Sequence, residues 1–158
     1  MAYKLIILAP SAGGKSTLMR YMREHTGLHI AETDEEVMKA NNNVWPSDEL
    51  KNETLVPQTT KEIITRDSAV YFASYIPKEL IKKARLNGFK VILLTISMEE
   101  LVKRNKKRMQ LENYQDATPW FAMQLDDYEQ LKKYGLIDVV IDGTQTVEIL
   151  AEQIVSFT

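Results

Sequence analysis

Apolar residues recur along the chain in two rhythms, short unbroken runs and longer helical stripes, and the two alternate. Tyr3 to Leu8 is a continuous β-prone run of the kind buried on both faces in a central parallel strand. Lys15 to His25 follows with Leu18, Met19 and Met22 at helical spacing, and Gly27 suits a left-handed cap after its last turn. Leu28 to Ala31 predicts a second strand and Ser68 to Ala73 a third, with Lys61 to Arg66 before it as the tail of a helix. Pro77 fits the first turn of a helix running to Asn87, with Leu80, Ile81 and Ala84 inward and Gly88 closing it.

Lys90 to Ile96 is the fourth strand, and Ser97-Met98-Glu99-Glu100 has the capping-box form that opens the next helix, with Leu101 on its core side. Thr118-Pro119 starts a long helix with Phe121, Leu125 and Tyr128 on one face and Lys132-Lys133 before the capping Gly135. Asp138 to Asp142 is the fifth strand, Gly143-Thr144 a turn, and Val147, Leu150, Ala151 and Ile154 the buried face of a final helix. Strands alternating with helices throughout predict an α/β chain built on a five-stranded parallel sheet with helices on both faces.

Two stretches interrupt this rhythm. From Asn41 to Thr60 the pattern weakens through Asn41-Asn42-Asn43, Trp45-Pro46, a short helix candidate from Ser47 to Leu55, and Pro57. This reads as an inserted flap, so residues of about 35–62 are expected to form a substrate lobe on the rigid scaffold. Trp45 either faces a substrate there or tucks into the core. Met109 to Ala117 is mixed and polar, and about 104–118 is expected to act as a mobile lid.

The 158 residues suit one domain spanning the whole chain, long enough to bury a core unaided. The 22 acidic and 20 basic side chains nearly balance, with a pI near 5.8. No overall positive field therefore favours a nucleic-acid partner. Cysteine is absent, which excludes disulfides and thiolate zinc and fits a reducing compartment, so cytoplasm is the expected location. No apolar run is long enough to read as a signal peptide or membrane span. A monomer or homodimer is expected.

Candidate chemistry begins between the first strand and helix. Ala9-Pro10-Ser11-Ala12-Gly13-Gly14-Lys15-Ser16-Thr17 matches the Walker A signature in its last part, with Ala9 where glycine is usual, and the strand–loop–helix context is the confirming one. A loop that wraps a triphosphate must bring its backbone close to the phosphate oxygens. Gly13 and Gly14 lack a β-carbon and let successive N–H groups, with those of Ser11, Ala12 and the helix start, converge on an anion. Lys15 would carry charge to the β- and γ-phosphates and Ser16 would ligate Mg²⁺, with Thr17 in the same turn.

The second strand delivers Glu32-Thr33-Asp34 to the sheet edge where open α/β sheets bind ligands. Asp34 is a candidate to accept a proton from an attacking hydroxyl and Glu32 a candidate metal partner; alternatively both only favour the next helix's N-terminus. Ser74 and Tyr75 end the third strand where a Walker B acid would stand, which leaves metal binding to Ser16, Glu32 or water. Arg66 is a candidate for an anionic acceptor or a helix-end partner. In the basic run from Lys103 to Arg108, Arg104 and Arg108 share a helix face and could stabilise charge on a transferred phosphoryl group.

On these residues the chain resembles the P-loop small-molecule kinases, the group that includes nucleoside and deoxynucleoside monophosphate kinases and shikimate and gluconate kinases. Glu32-Thr33-Asp34 is similar to the acidic D-T-D segment of shikimate-type kinases, and Glu100 to Arg108 to the family's arginine-bearing lid helix. The resemblance implies a three-layer P-loop NTPase fold with a lid and a substrate lobe, use of ATP and Mg²⁺, and γ-phosphoryl transfer to a small acceptor. The adenylate-kinase D-G-F-P-R-like segment and the shikimate-kinase triple glycine are both missing at Ala73-Ser74-Tyr75-Ile76-Pro77. A nucleoside, nucleotide or modified base is the expected acceptor; the alternatives are a shikimate- or gluconate-like metabolite, a hydroxylated base within DNA, or no acceptor at all in a nucleotide-binding regulator.

Overall fold

The computed structural model describes residues 2–158. Five strands, β1 (Lys4–Leu8), β2 (Ile30–Glu32), β3 (Ala69–Ala73), β4 (Lys90–Thr95) and β5 (Val139–Asp142), form one sheet in the order β2-β3-β1-β4-β5. Every pairing is parallel. Leu8 lies opposite Ala73 and Leu93, so β1 and β3 end level while β4 runs on to Thr95. Successive side chains of a strand point to opposite faces, and here both faces are covered. Ile6, Leu8, Tyr71, Ala73, Val91 and Leu93 pack on Ile81, Ala84, Tyr128 and Leu131 of the helices α5 (Lys78–Leu86) and α7 (Thr118–Lys133). Leu5, Ile7, Val70, Phe72, Ile92 and Leu94 pack on Leu18, Met22, Leu150 and Ile154 of α1 (Lys15–His25) and α8 (Val147–Val155). That two-sided burial is why these strands read as unbroken apolar runs, each large side chain contributing about 1.5–3 kcal/mol.

The remaining helices are α2 (Thr33–Ala40), α3 (Asp48–Leu50), α4 (Val56–Ile63) and α6 (Met98–Glu112). Four expectations are corrected. Glu32 belongs to β2 and caps α2, rather than following the strand. The 48–63 stretch does not break at Pro57; a π-helical turn over Lys51–Leu55 carries α3 into α4, with Pro57 directly after that turn in the first turn of α4. Helix α6 runs on to Glu112, so Met109–Glu112 is helical and only 113–117 connects it to α7. Gly27 makes no left-handed cap: Thr26 ends α1 in an extended conformation, its N–H and Oγ1 both donating to the Met22 carbonyl at 2.9 and 2.6 Å. Of the capping box one arm is present, Glu100 N–H donating to Ser97 Oγ at 3.2 Å, while the Glu100 carboxylate turns to Arg104.

No described helix is long and apolar enough to cross a membrane.

Candidate active site

The loop after β1 stands at the C-terminal edge of the central strand, where β2 and β3 lie to one side and β4 to the other. Its turn is fixed by sterics. A β-carbon on Gly13 would meet the Pro10 carbonyl oxygen at 2.7 Å, and Gly13 N–H donates to that oxygen at 2.9 Å. Gly14 has φ +85° and Ala12 φ +63°, so two backbone units of the loop are left-handed. The sequence places glycine at one of these positions, and Ala12 bears the strain of the other. Ser11 N–H donates to Gln124 Oε1 at 2.9 Å, and Gln124 Nε2 donates to Ser11 Oγ at 3.0 Å. Gln124, buried on α7, thus clamps the loop from a helix distant in sequence.

Lys15 opens α1 and folds back, its Nζ donating to the carbonyls of Ala9 and Pro10 at 3.1 Å each. Burial pushes its ammonium down to about 8, against the pull of the Glu32 and Asp34 carboxylates; Arg108 and Lys51 push the same way as burial. Ser16 and Thr17 are exposed on the first turn of α1. Across the loop, Glu32 is buried and its Oε2 accepts from Glu35 N–H at 3.0 Å. Burial and the neighbouring Asp34 raise its carboxyl to about 7, although two backbone N–H groups and Lys15 hold it down. The capping role and a place beside the phosphate loop are therefore combined in one side chain. Beneath, Thr33 Oγ1 donates to Tyr71 Oη at 3.1 Å, and Tyr71 Oη lies 3.1 Å from Thr60 Oγ1, fastening α2 and α4 to β3.

Asp34 is exposed in the first turn of α2 and pairs with Lys51 Nζ at 3.0 Å. Lys51 also stands 4.8 Å from the centroid of the Trp45 ring. Trp45 is half exposed, which removes the core alternative for it. From the other side, Arg104 Nε donates to Glu100 at 3.1 Å while its Nη1 lies 3.5 Å from the position of a β-carbon on Gly14. Arg108 stacks its guanidinium 4.1 Å from the Tyr114 ring centroid, and its charge is felt at Lys15. Arg66 does not face this site freely: Glu62 holds it at two points, 3.0 and 2.8 Å.

Asn105 is buried and ties the 113–117 connection to α6: its Nδ2 donates to Asp116 at 2.8 Å and to Thr118 Oγ1 at 3.1 Å, and its Oδ1 accepts from Ala117 N–H at 2.9 Å. Sequence reasoning missed Gln124, Lys51 and Asn105. A buried amide on an otherwise apolar helix face is the signal that could have flagged Gln124 and Asn105; nothing local marked Lys51.

A cleft of about 470 Å³ opens at the ends of β4 and β5, lined by Thr95, Ser97, Leu125, Tyr128, Asp142 and Thr144. A larger one of about 560 Å³, with Lys82, Arg85 and Asp138 on its walls, lies at the opposite sheet edge, away from the loop.

The donor set can be tested against a magnesium ion. Among the described residues no group of three or more His, Cys, Asp or Glu could form an all-protein cage. A hydroxyl at Ser16 and a carboxylate at Glu32 are the sparse oxygen ligands this cation takes when phosphates and water complete its shell, so the residues fit.

No protein-family model matches the chain, and no curated protein matches it in sequence. Solved structures do. A shikimate kinase from Bacteroides thetaiotaomicron aligns over 99% of this chain and 98% of its own with a TM-score of 0.73 at 11% identity. A shikimate kinase from Acinetobacter baumannii in complex with shikimate covers 99% of this chain and 92% of its own, with a TM-score of 0.69 and 18% identity. A gluconokinase from Sinorhizobium meliloti 1021 covers 98% and 90%, with a TM-score of 0.66 and 16% identity. At such identities the likeness is one of architecture: the chain has the α/β P-loop fold of these kinases over its whole length.

Proposed function

We propose that the protein is an ATP-dependent phosphotransferase that moves the γ-phosphoryl group to a hydroxyl of a small acceptor, with a nucleoside, nucleotide or modified base favoured. The observation that carries this reading is the convergence on one loop: Lys15 in the cradle, Glu32 and Asp34 on one flank, Arg104 and Arg108 on the other. The roles follow from charge. The N–H groups of Ala12 and of Gly14 to Thr17 take the triphosphate, those of Ser11 and Gly13 being held within the fold by Gln124 and the Pro10 carbonyl, and Lys15 releases its two loop carbonyls to reach the phosphates. Ser16 and Glu32 would hold Mg²⁺, which when bound neutralises charge on the β- and γ-phosphates.

Asp34 accepts the proton of the acceptor hydroxyl as its oxygen bonds to the γ-phosphorus and the β–γ bridging bond breaks, leaving ADP. Arg104 and Arg108 meet the charge on the transferred oxygens, and about 104–118 closes over them as the lid, while the segment of about 35–62 with Asp34 at its start holds the acceptor. A shikimate- or gluconate-like metabolite acceptor is the second reading, favoured by the shikimate kinase and gluconokinase structures that share the fold.

Lys15→Ala is the direct test. Phosphoryl transfer, followed with γ-labelled ATP, should fall by at least about 10³-fold while the circular dichroism spectrum and a cooperative unfolding transition are retained, because electrostatic stabilisation of transferred charge supplies that order of rate. Turnover equal to that of the wild type would remove the mechanism.

A further inference from the structure

Trp45 follows the polar run Asn41-Asn42-Asn43, yet its presentation is built. Asn42 and Asn43 are consecutive left-handed residues with φ of +55° and +62°, conformations that cost free energy and persist only where the surroundings hold them. They are held: Asn43 N–H donates to the Met38 carbonyl at 2.8 Å, Val44 N–H to Asn41 at 3.0 Å, and the Asn41 amide to the Val44 carbonyl at 2.7 Å. On the other side the chain is anchored by Pro46, which is buried. The indole between these anchors is left half exposed.

What stands over that ring is Lys51, and the same ammonium is bound to Asp34. One small cation therefore spans the indole face and the carboxylate that the kinase reading assigns to the acceptor hydroxyl. A flat molecule resting on the indole and carrying a hydroxyl would make both contacts at once. The charge of the surroundings narrows its class further. Recognition of a carboxylate or phosphate at two points calls for a guanidinium, and no arginine occurs between residues 24 and 65. The flanking Arg23 and Arg66 are each held by two contacts, to Glu35 and Glu62. Of the lysines in this segment, Lys39 pairs with Glu36 and Lys51 with Asp34, and Lys61 is an exposed single ammonium on α4 rather than a two-point donor.

We infer that the acceptor is an uncharged molecule built on a planar heteroaromatic ring, of the nucleoside class, which stacks on Trp45 in place of the Lys51 ammonium and offers its hydroxyl to Asp34. This rests on the kinase reading and deepens it. Lys51, displaced from the ring, keeps its charge beside the phosphate-transfer centre, where it already influences Lys15. The hydroxyl can belong to the sugar of a nucleoside or to a hydroxymethyl group on the ring; both present the same flat, neutral face.

The test uses the full chain carrying Trp120→Phe, so that Trp45 is the one remaining indole of the two. Its emission is titrated with thymidine, 5-hydroxymethyl-2′-deoxyuridine, shikimate and gluconate in the presence of Mg²⁺ and ATP, and phosphorylated product is measured by mass spectrometry. Binding of a fluorescent ATP analogue is followed in parallel. Quenching and phosphorylation are expected with the ring compounds alone, and which of the two is modified distinguishes a sugar hydroxyl from a ring hydroxymethyl. In the Trp120→Phe background, Trp45→Ala should lower kcat/KM for that acceptor by about 10- to 100-fold, the range that base–aromatic stacking supplies, with Trp45→Phe retaining most of the activity and the KM for ATP unmoved in both. Phosphorylation of shikimate or gluconate, insensitive to Trp45→Ala, would overturn the inference and leave the kinase reading intact. ATP-analogue binding with no response to either ring compound would overturn it likewise. Loss of ATP-analogue binding in the wild type would remove the kinase reading itself.

Discussion

Lys15 and Glu32 share an interior that favours neither charge, and their ionisation is set by how deeply each is buried. Glu32 rises from its ordinary 4.5 to about 7, chiefly by desolvation. A carboxyl that is raised in the folded chain binds more protons there than in the unfolded chain, so between pH 4.5 and 7 the folded state loses stability as pH climbs. Lys15 acts in the opposite sense, since an ammonium lowered to about 8 makes the folded chain more stable as pH rises from 8 towards 10.5. Glu32→Gln, unfolded by urea in metal-free buffer, is therefore expected to lose the decline between pH 4.5 and 7, an effect on the order of 1–3 kcal/mol. A decline of equal size in the variant would assign the titration to another group. Asp34 differs from both: it is exposed and engaged by a single lysine. Asp34→Asn should lower kcat by about 10²- to 10⁴-fold, the usual reach of a positioned base, with little change in ATP affinity. The reverse pattern, weak ATP binding with intact kcat, would take Asp34 out of the chemistry.

Two interior amides join elements that the backbone alone leaves apart. Gln124 couples α7 to the phosphate loop, and Asn105 couples α6 to the connection before α7. Both are buried, so truncating either leaves backbone groups without partners at a cost of about 1–3 kcal/mol. Hydrogen exchange separates a local role from a global one. Asn105→Ala should raise exchange at the amides of 113–118 while those of β1, β3 and β4 stay protected; uniform loss across the sheet would make Asn105 a fold residue instead. At this scale the sequence was legible where periodicity was strong. The strands read correctly because Leu5 to Leu8, Val70 to Ala73 and Val91 to Leu94 are buried on both faces. The helical path from Asp48 to Ile63 was read as broken because Pro57 normally ends a helix, and a π-helical turn that places proline within the first turn of α4 has no such signature. The capping role that the sequence suggests for Gly27 falls to the Thr26 hydroxyl, a choice between neighbours that no spacing marks.

Across the whole molecule, the parallel sheet aims its C-terminal edge at one place, and the groups that meet there come from separate parts of the chain: the β1 loop, the end of β2, the π-helical turn, and α6 and α7. Lys15, Ser16, Glu32, Asp34 and Arg104 are legible in the sequence as candidates because fixed spacing or a strand end marks them. Lys51 and Gln124 were not, since their partners Asp34 and Ser11 are set by tertiary packing. That asymmetry explains why the donor side is easier to read than the acceptor side. A phosphate cradle is local in sequence, whereas an acceptor site is assembled across the sheet edge. Transfer from γ-labelled ATP to a neutral nucleoside, with wild type and Lys15→Ala measured side by side, tests the central claim most directly. Labelled nucleoside phosphate from the wild type and none from the variant is the expected result. Release of inorganic phosphate alone, with no acceptor labelled from a panel of nucleosides, shikimate and gluconate, would contradict it.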